Sequence, residues 1–252
     1  MTAGLYLRYR CSPLCEWMSR LRGTSHAQSM DIDREFFGAF FVAHGIRRVF
    51  DIGANVGDKS AVFSEYADSV LSVEADPVIA RGLRSRFVFR RKVTVRNVAV
   101  GAAVGTATLF RKNHSGFSTL SEKWSQAVLA QGVVDNGSVD VPVTTLDLLI
   151  DEHGIPDYLK IDIEGHELPA VRGLNRPIRA VSFEANLPTF YEETMTIVDM
   201  LLERWPDVRF NLRVLDAPRF HLRDFVPADQ LVAALAGLSP VTTDVFAVGS
   251  PI

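Results

Sequence analysis

Two short segments of this chain concentrate the side chains that could do chemistry. The first is Asp51–Gly57, a turn with glycines at positions 53 and 57 that directly follows an apolar run. Glycines at such a turn let the backbone bend sharply and let a ligand approach the start of the next helix. The second is Asp162–Glu167, which holds three carboxylates and one imidazole. Close carboxylates raise one another's pKa and histidine titrates near neutrality, so this segment predicts acid–base chemistry.

The acid that precedes the glycines distinguishes between two nucleotide-like ligands. A dinucleotide fingerprint reads Gly-x-Gly-x-x-Gly, whereas this turn reads Gly53-x-Asn55-x-Gly57, with Asp51 two residues before the first glycine. Asp51 would repel a pyrophosphate, but it could attract the ammonium of a methionine moiety through ordered water or neighbouring amides. The pattern therefore favours S-adenosylmethionine over NAD. An NAD-dependent oxidoreductase and a non-catalytic adenosyl-binding protein remain as alternatives.

Two further strand ends carry groups that suit an adenosine. Glu74 ends the second predicted strand, about 20 residues after the glycine turn, where a carboxylate can accept both ribose hydroxyls. NAD and S-adenosylmethionine both contain such a ribose, so Glu74 indicates a nucleoside without choosing between them. Asn97 ends the third predicted strand, where its amide can meet the edge of the base.

Strand and helix patterns alternate along the chain, which predicts a mostly parallel sheet covered by helices on both faces. The residues 112–137 have no clear period and are expected to form a long functional loop. An extra antiparallel strand or hairpin partner is predicted at 106–111. The main strands are predicted at 47–51, 69–74, 93–100, 138–143, 157–163, 179–184, 208–215 and 243–249, the last two as a closing hairpin. We expect a doubly wound α/β sheet of about seven strands.

Bulk properties describe an ordinary globular chain. It has 252 residues, 47% apolar and 23% charged, and a net charge of −3 that offers no general attraction to nucleic acid or an anionic membrane. No secretory signal or membrane span is expected, and Cys11 and Cys15 are interpreted as reduced thiols of a cytoplasmic protein. We expect residues 1–30 to form an extension or helical cap and residues 31–252 to form one domain.

Five motifs occur in an order and spacing that resemble the FkbM family of methyltransferases. They are Phe50–Asp58, Val73–Pro77, Asn97–Gly101, Val143–Asp147 and Tyr158–Glu167. The resemblance runs from about residue 48 to 186. It implies a class I methyltransferase fold (Rossmann-like), S-adenosylmethionine as methyl donor, and O-methylation of a hydroxyl on a sugar, a glycolipid or a polyketide-like natural product. The remaining residues are the expected substrate determinants.

The resemblance also implies roles for individual residues. The methionine end of the cofactor would be lined by Asp51, Gly53, Asn55 and Gly57. Glu74 would take the ribose, Asp76 and Val98 would lie near the adenosine, and Asp162 would face the reacting centre. The chain departs from the family at Val73-Glu-Ala-Asp, where Phe-Glu-Pro is common, but the acid is kept.

Several residues compete for the role of general base in such a transfer. His166 is the first candidate, with Asp162 and Glu164 as alternatives, and His114 on the expected loop is a further one. No metal site is predicted from Cys and His spacing. Whether Asp162 and Glu164 hold a divalent cation stays open, because hard oxygen ligands suit magnesium.

A basic run follows the second predicted strand and contains no acid. Its residues are interpreted as a solvated helix face, with an anionic acceptor or a membrane surface as the alternative contact; they are Arg81, Arg84, Arg86, Arg90, Arg91, Lys92 and Arg96. We expect a small-molecule or glycan acceptor and no nucleic acid partner. The oligomeric state, a homodimer included, stays open.

Overall fold

The computed structural model describes residues 25–238 and 242–249. Cys11, Cys15 and most of the predicted extension lie outside the described residues. The predicted boundary between residues 30 and 31 falls inside helix α1 (Ser25–His44), and this division of the chain stays a prediction.

The main sheet has seven strands in the order β3-β2-β1-β7-β8-β10-β9. All neighbouring strands are parallel except that β10 runs antiparallel to both β8 and β9. The expected doubly wound α/β sheet of seven strands and its closing hairpin are confirmed. The strands of this sheet are β1 (Arg48–Ile52), β2 (Ser69–Val73), β3 (Val93–Arg96), β7 (Tyr158–Ile161), β8 (Ala180–Asn186), β9 (Arg209–Val214) and β10 (Thr242–Val248).

Helices cover both faces of this sheet, as the buried runs of the central strands require. The first face carries α1, whose Phe36, Phe37 and Phe40 pack with Tyr158 and Phe246. Within the described residues, no helix is long and apolar enough to cross a membrane. The helices after α1 are α2 (Asp58–Tyr66), α3 (Pro77–Arg86), α4 (Glu122–Ala130), α5 (Leu146–His153), α6 (Glu167–Arg172), α7 (Tyr191–Arg204) and α8 (Ala228–Ala236).

A second, three-stranded sheet was not expected. The predicted strand 93–100 divides into β3 and the short β4 (Ala99–Val100), which leaves the main sheet. The Asn97 side chain causes a local break, because its amide donates to the carbonyl oxygens of Glu74 and Ala75, 2.9 Å each. β4 then pairs with β6 (Asp135–Thr144), and β6 pairs antiparallel with β5 (Gly105–Lys112).

The prediction of one long loop over 112–137 was wrong in part. A 3-10 turn occupies Ser115–Phe117 and α4 follows it. The Ser121 side chain caps α4 by accepting from the Trp124 backbone N–H at 3.2 Å. A helix of nine residues offers only about two turns of periodicity, so its apolar face is hard to detect in a polar stretch.

Candidate functional site

The glycine turn after β1 is held between the ends of β2 and β7. Gly53 has φ +84°, and a Cβ at this position would lie 1.7 Å from the carbonyl oxygen of Asp162. Only glycine fits such an approach. The backbone N–H groups of Gly53 and Ala54 both donate to the Val73 carbonyl at 2.9 Å. The turn therefore has a fixed position relative to the two neighbouring strand ends.

The Glu74 carboxylate is anchored by backbone amides at the end of β2. Its Oε2 accepts from the N–H of Asn55 and its Oε1 from the N–H of Asp76, both at 2.8 Å. Burial raises the pKa of Glu74 to about 7, although these amide donors lower it. Each carboxylate oxygen has a second acceptor position, so Glu74 can still receive ligand hydroxyls.

A cleft opens at the carboxyl ends of β1, β2 and β7. About 640 Å³ of space lies between its walls, and part of this space is open solvent. The Oδ1 atom of Asn55, one of its lining residues, is buried and has no hydrogen-bond partner in the structure. Other predicted site residues that line the cleft are Gly53, Glu74, Val98, Asp162 and Glu164.

Three carboxyl groups meet next to this cleft, and we call Asp162, Glu164 and Glu184 the acid cluster. Each offers one oxygen, and these oxygens lie within 4.8 Å of one another. Lys160 donates from Nζ to Asp162 Oδ2 at 2.6 Å and is itself buried. Oxygen ligands at this spacing could also hold a divalent cation, so the metal question left open by the sequence stays a hypothesis.

The surroundings of Glu164 and Glu184 favour their protonated forms. Burial raises the pKa of Glu164 well above its ordinary value, and the charges of Asp162 and Glu167 add to this effect. Burial likewise raises the pKa of Glu184, with further contributions from Asp162 and Glu164. Carboxyl groups with raised pKa values are suited to proton transfer near neutrality.

Sequence reasoning missed Glu184, whereas the segment that covers the cleft, residues 113–121, lies within the loop predicted at 112–137. Glu184 lies in β8 beside the end of β7, because Ile161 is in register with Phe183. The sequence did contain a signal for Glu184, because this acid ends the predicted strand 179–184, which follows Asp162 in the chain. The covering segment holds Glu164 through the Thr119 hydroxyl, which donates to its carbonyl oxygen at 2.6 Å. Its residues in the cleft wall are Ser115, Gly116, Ser118, Thr119 and Leu120.

Asp51 and Gly57 are two of the four predicted cofactor residues that do not line the cleft. Asp51 is buried beneath it, where Oδ2 accepts from the Ser60 hydroxyl at 2.5 Å and Oδ1 has no partner. Gly57 begins α2 with φ +88°, and a Cβ there would contact Leu83 and Phe87 at less than 3 Å. This close packing is one reason for glycine at position 57. Their proposed roles in cofactor binding stay predictions.

Asp76 and Asn97 also have structural contacts that account for their residue types. Asp76 caps α3 by accepting from the N–H of Val78 at 2.7 Å, and it forms an ion pair with Arg111 Nε at 2.7 Å. This pair ties the second sheet to the main one. Asn97 holds the end of β2 through the two carbonyls already described. Neither residue lines the cleft, and their proposed contacts with adenosine remain untested.

The two histidine candidates also lie outside the cleft lining. His166 precedes α6 and lines a separate depression that it shares with Glu167 and Glu184. Burial lowers the pKa of His166, which favours its neutral form. Glu167 Oε1 accepts from the N–H groups of Ile163 and Gly165 and so closes the turn before α6. His114 precedes the 3-10 turn of the covering segment.

Comparison with known proteins links this geometry to one family. The model of the methyltransferase FkbM domain matches residues 51–211, which include the glycine turn, Glu74 and the whole acid cluster. The match agrees with the resemblance found in the motifs. No curated relative matches the chain by sequence.

Three solved structures are similar to this chain at 11–13% sequence identity. An O-methyltransferase from Bacillus cereus in complex with SAH is 12% identical, with 89% of this chain and 82% of that chain covered and a TM-score of 0.46. The O-methyltransferase TomG from Streptomyces achromogenes in complex with SAM is 11% identical, with 99% and 91% covered and a TM-score of 0.46. A fibrillarin from Aeropyrum pernix with bound S-adenosyl-L-methionine is 13% identical, with 81% and 66% covered and a TM-score of 0.40.

Proposed function

The chain belongs to the FkbM methyltransferase family, and on this premise we propose that it transfers a methyl group from S-adenosylmethionine to a hydroxyl oxygen. The proposed acceptor is a sugar, a glycolipid or a polyketide-like natural product. One observation carries the proposal. Glu74, Asp162 and Glu164 line the same cleft, and Glu184 lies beside the last two.

The residues present fit the proposed cofactor. Glu74 would receive the ribose hydroxyls, since its oxygens retain free acceptor positions. The unpartnered Oδ1 of Asn55 is a buried acceptor that a ligand N–H, such as an ammonium, would satisfy. Val98 offers an apolar surface for the adenine. When bound, S-adenosylmethionine supplies an electrophilic methyl group on a sulfonium.

The chain itself must align the acceptor oxygen and remove its proton. We propose Glu164 as the general base ahead of His166, because Glu164 lines the cleft and His166 does not. The raised pKa of Glu164 strengthens it as a base once it is ionised. Asp162, oriented by Lys160, would direct the acceptor hydroxyl towards Glu164.

The covering segment supports an acceptor rich in hydroxyl groups. It adds the hydroxyls of Ser115 and Ser118 to the cleft wall, and a hydroxyl can both donate and accept a hydrogen bond. Polar groups of this kind recognise a sugar more readily than a wholly apolar substrate. These hydroxyls indicate the chemical class of the acceptor and not its identity.

Transfer of a labelled methyl group to a panel of deoxysugar glycosides, glycolipids and macrolides tests the proposal. We expect product with at least one hydroxylated acceptor and loss of turnover by about 10²–10⁴-fold in Glu164→Gln. Glu203→Gln, which removes an exposed acid from α7, is the matched control and should retain turnover. If His166→Ala loses activity and Glu164→Gln keeps it, the assignment of the base is overturned.

Calorimetry separates methyl transfer from the two alternatives. Binding of S-adenosylmethionine without binding of NAD is the expected result. Binding of NAD alone would favour an oxidoreductase. Binding of S-adenosylmethionine with no transfer to any acceptor of the panel would favour an adenosyl-binding protein.

A further inference from the structure

A long stretch of this chain is basic and has no acid. The residues 77–121 contain seven arginines and two lysines, although the whole chain has a net charge of −3. Part of this charge is used by the fold. Arg86 pairs with Asp58 at 2.8 Å, Arg96 with Glu152, Arg111 with Asp76, and Lys112 with Asp135 at 3.1 Å.

The remaining basic groups gather around the connection between α3 and β3. Arg81, Arg84 and Arg91 are exposed and form no ion pair with any described residue. Lys92 is also exposed, and its Nζ donates to the Ala67 carbonyl at 2.9 Å, a contact that leaves its charge unneutralised. The acid of the adjoining loop, Asp68, is already paired with Arg47. This corner of the molecule therefore carries local positive charge.

Two apolar side chains project from the same connection. Val88 is 65% exposed and Phe89 is 91% exposed, the largest exposed fraction among the large apolar side chains described. A single exposed apolar residue is ordinary on a protein surface, but here two consecutive ones are flanked by cations. We call Arg81, Arg84, Val88, Phe89, Arg91 and Lys92 the basic tip.

We propose that the basic tip docks on an anionic lipid bilayer. Phe89 and Val88 would enter the region between the headgroups and the acyl chains, where apolar and aromatic side chains are favoured. The arginines and Lys92 would lie among the lipid phosphates, which attract basic residues close to the surface. The apolar side chains and two of the cations belong to the connection after α3, and Arg81 and Arg84 belong to α3 itself.

The location of the basic tip determines which way the cleft would face. The connection from α3 enters β3 at its amino end, whereas the cleft lies at the carboxyl ends of the parallel strands. Docking through the tip would leave the cleft at the opposite edge of the sheet, open to water. This surface is independent of the proposed methyl transfer, and its test needs no methyl acceptor.

Flotation with vesicles tests the proposal on the full chain. One set contains phosphatidylglycerol and phosphatidylcholine in equal parts, and the other contains phosphatidylcholine alone. We expect binding to the anionic set only, and release when the ionic strength rises from about 0.1 M to about 0.5 M. Equal binding to both sets, or no binding to the anionic set, would overturn the proposal.

Two variants separate the apolar and charged contributions. The double variant V88S/F89S and the double variant R84Q/R91Q should each weaken binding by about tenfold or more. Matched controls are V104S, which removes an exposed valine at another turn, and R219Q/R223Q, which removes two exposed arginines elsewhere. Unchanged binding in both tip variants contradicts the proposal.

A second ligand class provides a further arm of the experiment. A labelled single-stranded RNA is titrated under the same conditions, since basic surfaces also attract phosphate backbones. RNA binding that exceeds vesicle binding and survives V88S/F89S would replace the membrane with a nucleic acid. Weak RNA binding with strong vesicle binding supports the bilayer.

Discussion

Two groups of charged side chains differ in how their charges are balanced. The first, which we call the paired cluster, contains two acids and two cations. Arg213 and Lys59 both bond to Asp33, at 2.8 and 2.7 Å, and Lys59 also bonds to Asp216 at 2.8 Å. The acid cluster instead contains three carboxyls, of which only Asp162 forms an ion pair with a described residue, Lys160.

The difference agrees with a structural role for the paired cluster and with the catalytic role proposed for the acid cluster. In the paired cluster, burial would raise the pKa of Asp216, but Lys59 and Arg213 outweigh burial and lower it. In the acid cluster, burial and neighbouring carboxylates act in the same direction and raise the pKa values of Glu164 and Glu184. A crowded set of acids costs stability, and such a cost is typical of a site that handles protons.

The largest expected effect comes from breaking the paired cluster. Arg213 is fully buried and lies 4.1 Å from the centre of the Phe36 ring. Arg213→Met removes one of the two cations bonded to Asp33 and leaves Lys59 as the other, so we expect the free energy of unfolding to fall by about 3 kcal/mol. Urea unfolding measures it. Arg219→Met, at an exposed arginine, should change it by no more than about 0.5 kcal/mol, and equal effects would remove the distinction.

Substitution of Glu74, a buried acid outside the paired cluster, tests whether this residue contributes to ligand binding. Glu74→Gln removes the negative charge that would receive the ribose hydroxyls. We expect the affinity for S-adenosylmethionine to fall by about 10- to 100-fold, as measured by calorimetry, the equivalent of a hydrogen bond to a charged group. Glu203→Gln should bind normally. Unchanged affinity in Glu74→Gln would assign Glu74 to the turn alone.

Buried acids with raised pKa values and the ion-paired Asp216 should contribute to stability with opposite pH dependence. Glu74 and Glu167 have pKa values raised to about 7 in the folded chain, so the native state holds more protons than the unfolded state above about pH 4.5. Their contribution is full at low pH and is lost as pH rises through 7. Asp216, with its lowered pKa, contributes above its ordinary pKa and loses this contribution in acid.

Urea unfolding between pH 5 and 8 measures these contributions. We expect the wild-type chain to lose about 1–3 kcal/mol of stability over this interval. Glu184→Gln cannot ionise, so it should be more stable than the wild type at pH 8 by about 1 kcal/mol, with a smaller difference at pH 5. A stability that rises with pH across this interval contradicts the proposed state of the acid cluster.

The smallest expected effect concerns the contact between the covering segment and the acid cluster. Thr119→Val removes the hydroxyl that donates to the Glu164 carbonyl and should cost about 1 kcal/mol of local stability. Hydrogen exchange of the amides in residues 113–121 measures the loss. Thr108→Val, which removes an exposed hydroxyl bonded to Asp140, is the matched control. Equal protection of the segment in both variants would exclude this role for Thr119.

Much of the fold was predictable because its signals are local. Apolar runs bounded by turns placed the strands of the main sheet, and Pro77 with Asp76 indicated the start of α3. The glycine turn and Glu74 were predictable because each directly follows a strand. The division of the predicted strand at Asn97 was not, since it coincides with bonds from the Asn97 side chain to the carbonyl oxygens of Glu74 and Ala75, just after β2.

The sequence by itself determined the order of elements, the family and the carboxylates that end the strands, because these depend on residue type and short spacing. Only the tertiary structure decided which of these groups meet. Pairing of β7 with β8 brings Glu184 beside Asp162, although 21 residues separate them in the chain. The tertiary structure also places His166 in a separate depression and packs Gly57 against Leu83 and Phe87. Contacts between distant segments depend on strand register and packing, which no local pattern specifies.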